Sequence, residues 1–394
     1  MKCQRTVFCA LLVAVGVLTA IALAVEPAEA GELGDNAALK YWKAFSTLPQ
    51  LDQDDGQLLR SSSESPLSGR ARKIVERAEP SLRLLHKGAS IESCDWGHDF
   101  NEGAELLLPH CGKSRELARW AALRARVRLA DGDADGANDD LLATIWLAHH
   151  CSAGGTFIEI LVGCSIRETA VDVAASHVAV MTPPQRAQLA ADLRELPPPT
   201  SSVVGLRTEK SVGHAWFARL LRAGEFGRVA RVFSADLDKD PEAKLVAEAL
   251  KDPETLKRVL ERSAAALDRI IRDAGLPYAE SMQKLEAFEK EIDQKRAKLS
   301  ENPQANLADV LVCATMPRAS GLRAIEAKAV IRQSMLLAAL AYANDGSDAA
   351  AKVTDPIAGK PFRITPVEGK AGWIELASTV TRDGKPITLR ARIQ

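Results

Sequence analysis

The chain has 394 residues, 46% hydrophobic and 26% charged, with only 5% aromatics. This is the profile of a soluble globular protein long enough for one large domain or two ordinary ones, and it excludes disorder over the whole length. A formal net charge of −1 argues against a nucleic-acid-binding protein, which would carry a basic surplus.

The N-terminus reads as an export signal. Lys2 and Arg5 precede an almost wholly apolar run from Val7 to Val25, and Ala28-Glu29-Ala30 supplies a small-x-small cleavage site. Residues 1–30 are therefore expected to be a signal peptide, or an uncleaved anchor that would be the protein's only contact with a membrane. Either way the body lies outside the cytoplasm, in the periplasm or beyond the cell. Cys3 and Cys9 leave with a cleaved signal, while Cys94, Cys111, Cys151, Cys164 and Cys313 remain. Outside the cytoplasm disulfides persist, and the shortest pairings are Cys94 with Cys111 and Cys151 with Cys164. Buried free thiols are the alternative.

Residues 31–199 are expected to form a first helical region. Asp35 or Asn36 caps a helix carrying Leu39, Trp42, Phe45 and Leu48. Residues 51–69 are polar and turn-rich, and a helix resumes near Arg70, started again or kinked at Pro80. After the loop from Cys94 to Cys111, Leu117, Trp120, Ala121 and Leu123 mark a helix. A turn at Asp131 to Asp135 leads to a second, with Leu141, Ile145 and Ala148. Gly154-Gly155 makes a corner before a third helix from Phe157 to about Val180. Thr182 with Pro183 and Pro184 opens another, which ends before Pro197-Pro198-Pro199, the strongest boundary signal in the chain.

Residues 200–352 are expected to be a second helical region, with helices near 203–223, 253–274, 277–299 and 319–344. Residues 353–394 change period. Phe362–Thr365, Trp373–Leu376 and Ile387–Arg390 alternate apolar and polar, and Asp383-Gly384 is a hairpin turn. The fold class is thus mainly α, an irregular α-hairpin or solenoid-like body closed by a small antiparallel β meander.

The stretch ARVRLADGDADGANDDLLA, Ala125 to Ala143, resembles one tetratricopeptide-type helix pair, with Gly132-Asp133 at the turn, Ala137 after it and Leu141 at a core position. The export signal, the helical body and DPIAGKPF, Asp355 to Phe362, resemble families of exported bacterial helical proteins. These resemblances imply an architecture and, by analogy with tetratricopeptide pairs, protein or peptide binding.

Four groups of residues are candidates for chemistry. Asp131-x-Asp133-x-Asp135-Gly136 opens like a calcium loop, but Leu142 stands where its closing glutamate belongs, and a helix-pair turn explains the same residues. His149-His150 lie about 100° apart on a helix and so read as structural. Ser281-x-x-Lys284 fits a serine–lysine motif without its companions. The densest segment is CDWGHDFNEGAELLLPHC, Cys94 to Cys111. It reads as a disulfide-bounded loop packing Trp96 on the helices, as a ligand-binding loop using Asp95, Trp96, His98 and His110, or as a zinc site of Cys94, His98, His110 and Cys111. No metal or cofactor is assigned. The sequence favours a non-catalytic exported protein that binds a protein, peptide or envelope component at this loop. Its rivals are a secreted hydrolase using Asp95, His98, Glu102 and His110, with or without zinc, and a purely structural envelope protein.

Overall fold

A computed structural model describes residues 36–61, 63–228, 248, 250–299 and 318–394. The signal segment, Cys3, Cys9 and Cys313 lie outside the described residues. The protein is mainly helical and ends in a three-stranded antiparallel sheet. No helix of the described residues is long and apolar enough to cross a membrane.

Helix α1 (Ala37–Ser46) begins where Asn36 Oδ1 accepts the Ala38 amide, and it packs on α3 (Gly69–Ala89) beside the short α2 (Gln53–Leu59). Helix α3 runs continuously through Pro80, so the proline removes one amide donor without dividing the element. Helices α4 (Pro109–Ala130), α5 (Ala134–Cys151) and α6 (Phe157–Ser176) form the centre. The expected turn joins α4 to α5, with Gly132 at φ 85°, a conformation that costs a glycine nothing. Arg124, buried on α4, is held by Asp140 of α5 and Glu79 of α3, so the three helices share one ion-pair network.

The three aspartates of that turn go separate ways. Asp131 pairs with Arg72, Asp133 caps α5 through the Gly136 amide, and Asp135 accepts from Gln185. Helix pairing therefore accounts for them without a shared cation. Ser281 is buried, while Lys284 turns outward to Glu280, so the serine–lysine spacing brings no pair together.

Helix α7 (Pro183–Glu195) starts with a capping box at Thr182 and Gln185. Beyond the triple proline come α8 (Ser202–Thr208), a π-helical turn, α9 (Ala215–Arg222), α10 (Pro253–Ala274), α11 (Tyr278–Leu299), α12 (Ala319–Asp345) and α13 (Ser347–Ala351). Helix α12 packs on its sequence neighbours α11 and α13 and also reaches back to α6 and α7. Its Ile331, Met335, Leu336 and Ala339 enter the same apolar cluster as Leu141 of α5, Ala174 of α6 and Leu189 of α7. Arg167 of α6, almost fully buried, donates to the Pro197 carbonyl and to Gln333 Oε1 of α12. The triple proline is thus pinned against both expected helical regions.

Strands β1 (Arg363–Pro366), β2 (Trp373–Arg382) and β3 (Lys385–Arg392) form the meander, in the order β1-β2-β3. Asp383 and Gly384 both have positive φ, 51° and 72°, as a two-residue hairpin matched to strand twist requires. The Asp355 element is a turn that anchors this sheet. Its buried carboxylate accepts the Ile357 and Ala358 amides and the Ser378 hydroxyl, where β2 shifts register. Leu376, Ile387 and Leu389 then close one side of the cluster that α12 completes.

Candidate metal centre

The segment between α3 and α4 is tied down at its start. Ala37 donates to the Ser93 carbonyl, and the Asn36 side chain exchanges two hydrogen bonds with the Asp95 backbone. Asp95 itself is exposed and accepts the Gly97 amide. This turn sends Trp96 inward. Its indole N–H donates to the His150 carbonyl at 2.7 Å, and its ring stacks on His110, Tyr41 and Phe45. Trp96 therefore sits in the core. His150 is structural as well, with Nδ1 2.7 Å from the Tyr41 hydroxyl, and burial takes its pKa down to about 4.

His110 and Cys111 occupy the second and third positions of α4, just after Pro109. Cys151 is the last residue of α5. Glu159 is in the first turn of α6, where it completes a capping box with Thr156. The ends of the three central helices therefore converge. His98 Nε2 donates to Glu159 Oε1 at 2.7 Å, and His110 Nε2 lies 3.0 Å from the same oxygen. Glu159 Oε2 is held by the Thr156 amide at 2.9 Å. On the other side of His110 Nε2, Cys111 Sγ stands at 3.6 Å. Two overlapping groups result, His98–His110–Glu159 and His110–Cys111–Cys151, and in each the ligating atoms lie within 4.8 Å of one another.

Burial and pairing set the charges. Burial pushes the Glu159 carboxyl up, but hydrogen bonds from His110, His98 and Thr156 outweigh it and hold the group at about 2. For His110 burial opposes protonation, and pairing with Cys111 and Glu159 overcomes it, lifting the imidazole to about 9. The hydrogen bond from Cys151 is the main reason the Cys111 thiol falls to about 6, against burial and with help from His110. The first turn of α4 adds the positive end of a helix dipole. Cys151, the donor of that bond and fully buried, is held well above the ordinary thiol range.

The donor set is one that zinc-class ions prefer: imidazole nitrogen, thiolate sulfur and carboxylate oxygen. Around a tetrahedral zinc, a sulfur at about 2.3 Å and a nitrogen at about 2.0 Å stand roughly 3.5 Å apart. Cys111 Sγ and His110 Nε2 are 3.6 Å apart already. The space is tight. A Cβ on Gly154 would come within 2.5 Å of Glu159 Oε1 and 2.6 Å of His98 Cδ2.

A short 3₁₀ turn, Phe100–Glu105, covers His98, with the Phe100 ring edge-on to the imidazole. The region beyond the triple proline clamps it. Gly103, at φ 56°, lies against the Trp216 side chain, Arg219 donates to the Asn101 carbonyl, and Arg228 pairs with Glu105.

Of the residues singled out in the sequence, His98, His110, Cys111 and Cys151 meet here. Asp95 and Glu102 are exposed and belong to neither group. Cys94 stands apart as well, its thiol pushed by burial to about 12. Cys94, Cys111, Cys151 and Cys164 are all free, so neither expected disulfide is present; Cys111 faces Cys151 instead. Spacing could not show this, because Cys111 and Cys151 are joined only by the antiparallel packing of α4 and α5. Glu159 escaped the sequence reading entirely. Its one signal, Thr156-x-x-Glu159, is that of an ordinary capping box. No family model, curated protein or solved structure matches this chain.

Proposed function

We propose that this is a metal-binding helical protein whose central helices hold a single zinc-class ion through His110, Cys111, Cys151 and Glu159. His98 positions the carboxylate by its bond to Oε1. The observation that carries this reading is the convergence of imidazole, thiol and carboxylate donors at three helix ends, in two triads that share His110, with His110 Nε2 and Cys111 Sγ 3.6 Å apart. The basic and apolar start of the sequence supports, as part of this proposal, a location in the periplasm or outside the cell.

Burial favours a structural or sequestering ion over hydrolysis. Catalytic zinc keeps a coordination position open to water and substrate, whereas the His98 side chain is 8% exposed and those of His110 and Glu159 at most 1%. Recognition of a protein or peptide by this loop has less behind it, because Trp96 is engaged in the core. The Cys111–Cys151 juxtaposition also supports a second reading, a disulfide formed after export.

Native mass spectrometry of the exported chain, purified without reductant or chelating resin, separates these readings. One bound zinc per chain is expected, and cobalt substitution should give thiolate-to-metal charge-transfer absorption. Cys111→Ser and Cys151→Ser should abolish stoichiometric binding, whereas Asp95→Asn and Glu102→Gln should retain it. A metal-free chain lighter by two hydrogens, with Cys111 joined to Cys151 in its peptide map, would replace the metal reading with the disulfide. Metal retained in both cysteine variants would remove this site.

A further inference from the structure

Well away from the metal centre, a cleft of about 600 Å³ opens between the chain following α2 and the outer faces of α4 and α6. Leu59, Leu123 and Val173 give it an apolar floor, and Arg60, Arg119 and Arg126 give it charge. Arg119 and Arg126 are seven residues apart on α4, two helical turns, and so point to the same side.

Several arginines of the helices meet carboxylates, although the buried Arg167 and Arg186 donate to neutral acceptors. Arg70 meets three aspartates, Arg124 meets Asp140 and Glu79, and Arg332 meets Glu168 and Asp172. The arginines of the cleft do not. Arg126 is 4% exposed, yet among the described residues its guanidinium donates only to neutral acceptors, Ser61 Oγ at 3.0 Å and the Ser65 carbonyl at 2.5 Å. No carboxylate lies within ion-pairing distance of Arg60, Arg119 or Arg126 among the described residues. The two carboxylates that line the cleft are engaged from outside it, Glu64 by Lys370 and Asp172 by Arg332. A buried guanidinium without a counter-charge is costly unless something supplies one. That cost shows in Arg126 itself, which burial pulls below the usual arginine range.

We propose that this cleft binds a small organic anion, its carboxylate or phosphate held by Arg126, Arg119 and Arg60 and its apolar body lying on Leu59, Leu123 and Val173. Guanidinium groups suit both oxyanions because their fork of donors matches two oxygens at once. The volume fits a ligand of metabolite size, since such pockets span about 300–1,000 Å³. This site does not depend on the metal reading, because none of its residues touches the metal centre.

Isothermal titration of the full-length protein would test the proposal with four probes: benzoate, phenyl phosphate, inorganic phosphate, and neutral benzamide. Saturable binding of benzoate or phenyl phosphate is expected, stronger than that of inorganic phosphate, with none of benzamide. The preferred headgroup then tells carboxylate from phosphate. The double variant Arg60→Gln/Arg119→Gln alters two exposed side chains and should keep the fold. It should weaken binding at least about tenfold, as removing hydrogen bonds to a charged group does. Arg126→Gln should abolish binding. Silence from all three anions, or equal binding by wild type and the double variant, would overturn the proposal.

Discussion

Glu159 shows how one side chain serves folding and chemistry together. Oε2 closes the first turn of α6 on the Thr156 amide, and Oε1 gathers two imidazoles. From the sequence only the first role could be read, because a capping box is local and the histidines lie 61 and 49 residues away (159 − 98 and 159 − 110). Trp96 could be read from the sequence either as packed on the helices or as part of a ligand-binding loop, and it is the turn at Asp95 that sends its large ring inward. The glycine that matters most here is Gly154, which needs no special φ but has no room for a methyl group beside Glu159 and His98. Gly154→Ala should lower stability by about 1–3 kcal/mol, as overpacking does, and should lower metal stoichiometry with it. Gly112→Ala, which meets nothing within 4 Å, is the control and should leave both unchanged. Full metal loading in Gly154→Ala would show that the crowded oxygen is not a ligand.

At the scale of elements, the most legible features were those whose chemistry is short-range. The Asn36 cap, the start of α7 at Thr182 and the Asp383-Gly384 hairpin all appear where the residues place them. The Asp355 turn was visible as a motif but not as a mechanism. Its carboxylate is buried beneath two amides of its own loop and the Ser378 hydroxyl of β2, a partner 23 residues on that lies where the strand shifts register. Asp355→Ala would strand these donors. A loss of about 1–3 kcal/mol is expected for unsatisfied buried groups, and amide exchange should quicken at Ile357, Ala358 and Val380. Unchanged protection at Val380 would mean that the turn and the strand are not coupled. Asp355→Asn keeps an acceptor oxygen and should recover most of the loss.

For the whole molecule, the sequence fixes the class but not the division. A run of three prolines reads as a boundary because it cannot continue a helix, yet Arg167 reaches from α6 to the Pro197 carbonyl and on to α12. The apolar pattern of α12 does not announce its destination, since a buried face looks the same whichever helices cover it. That packing carries an implication for synthesis. As the chain emerges N-terminus first, α5, α6 and α7 are complete by residue 195, but their shared face stays uncovered until Ile331 to Leu340 arrive. The early product is a partly folded species with apolar surface showing, a form prone to aggregation. A fragment spanning residues 31–199 should accordingly expose dye-binding surface and melt without cooperativity, whereas adding a peptide of residues 318–346 should restore a sharp transition. Cooperative melting by the fragment alone would show that α12 is dispensable to that core. Otherwise α12 acts as a timer: the face shared by α5, α6 and α7 stays bare until residues 331–340 have been made.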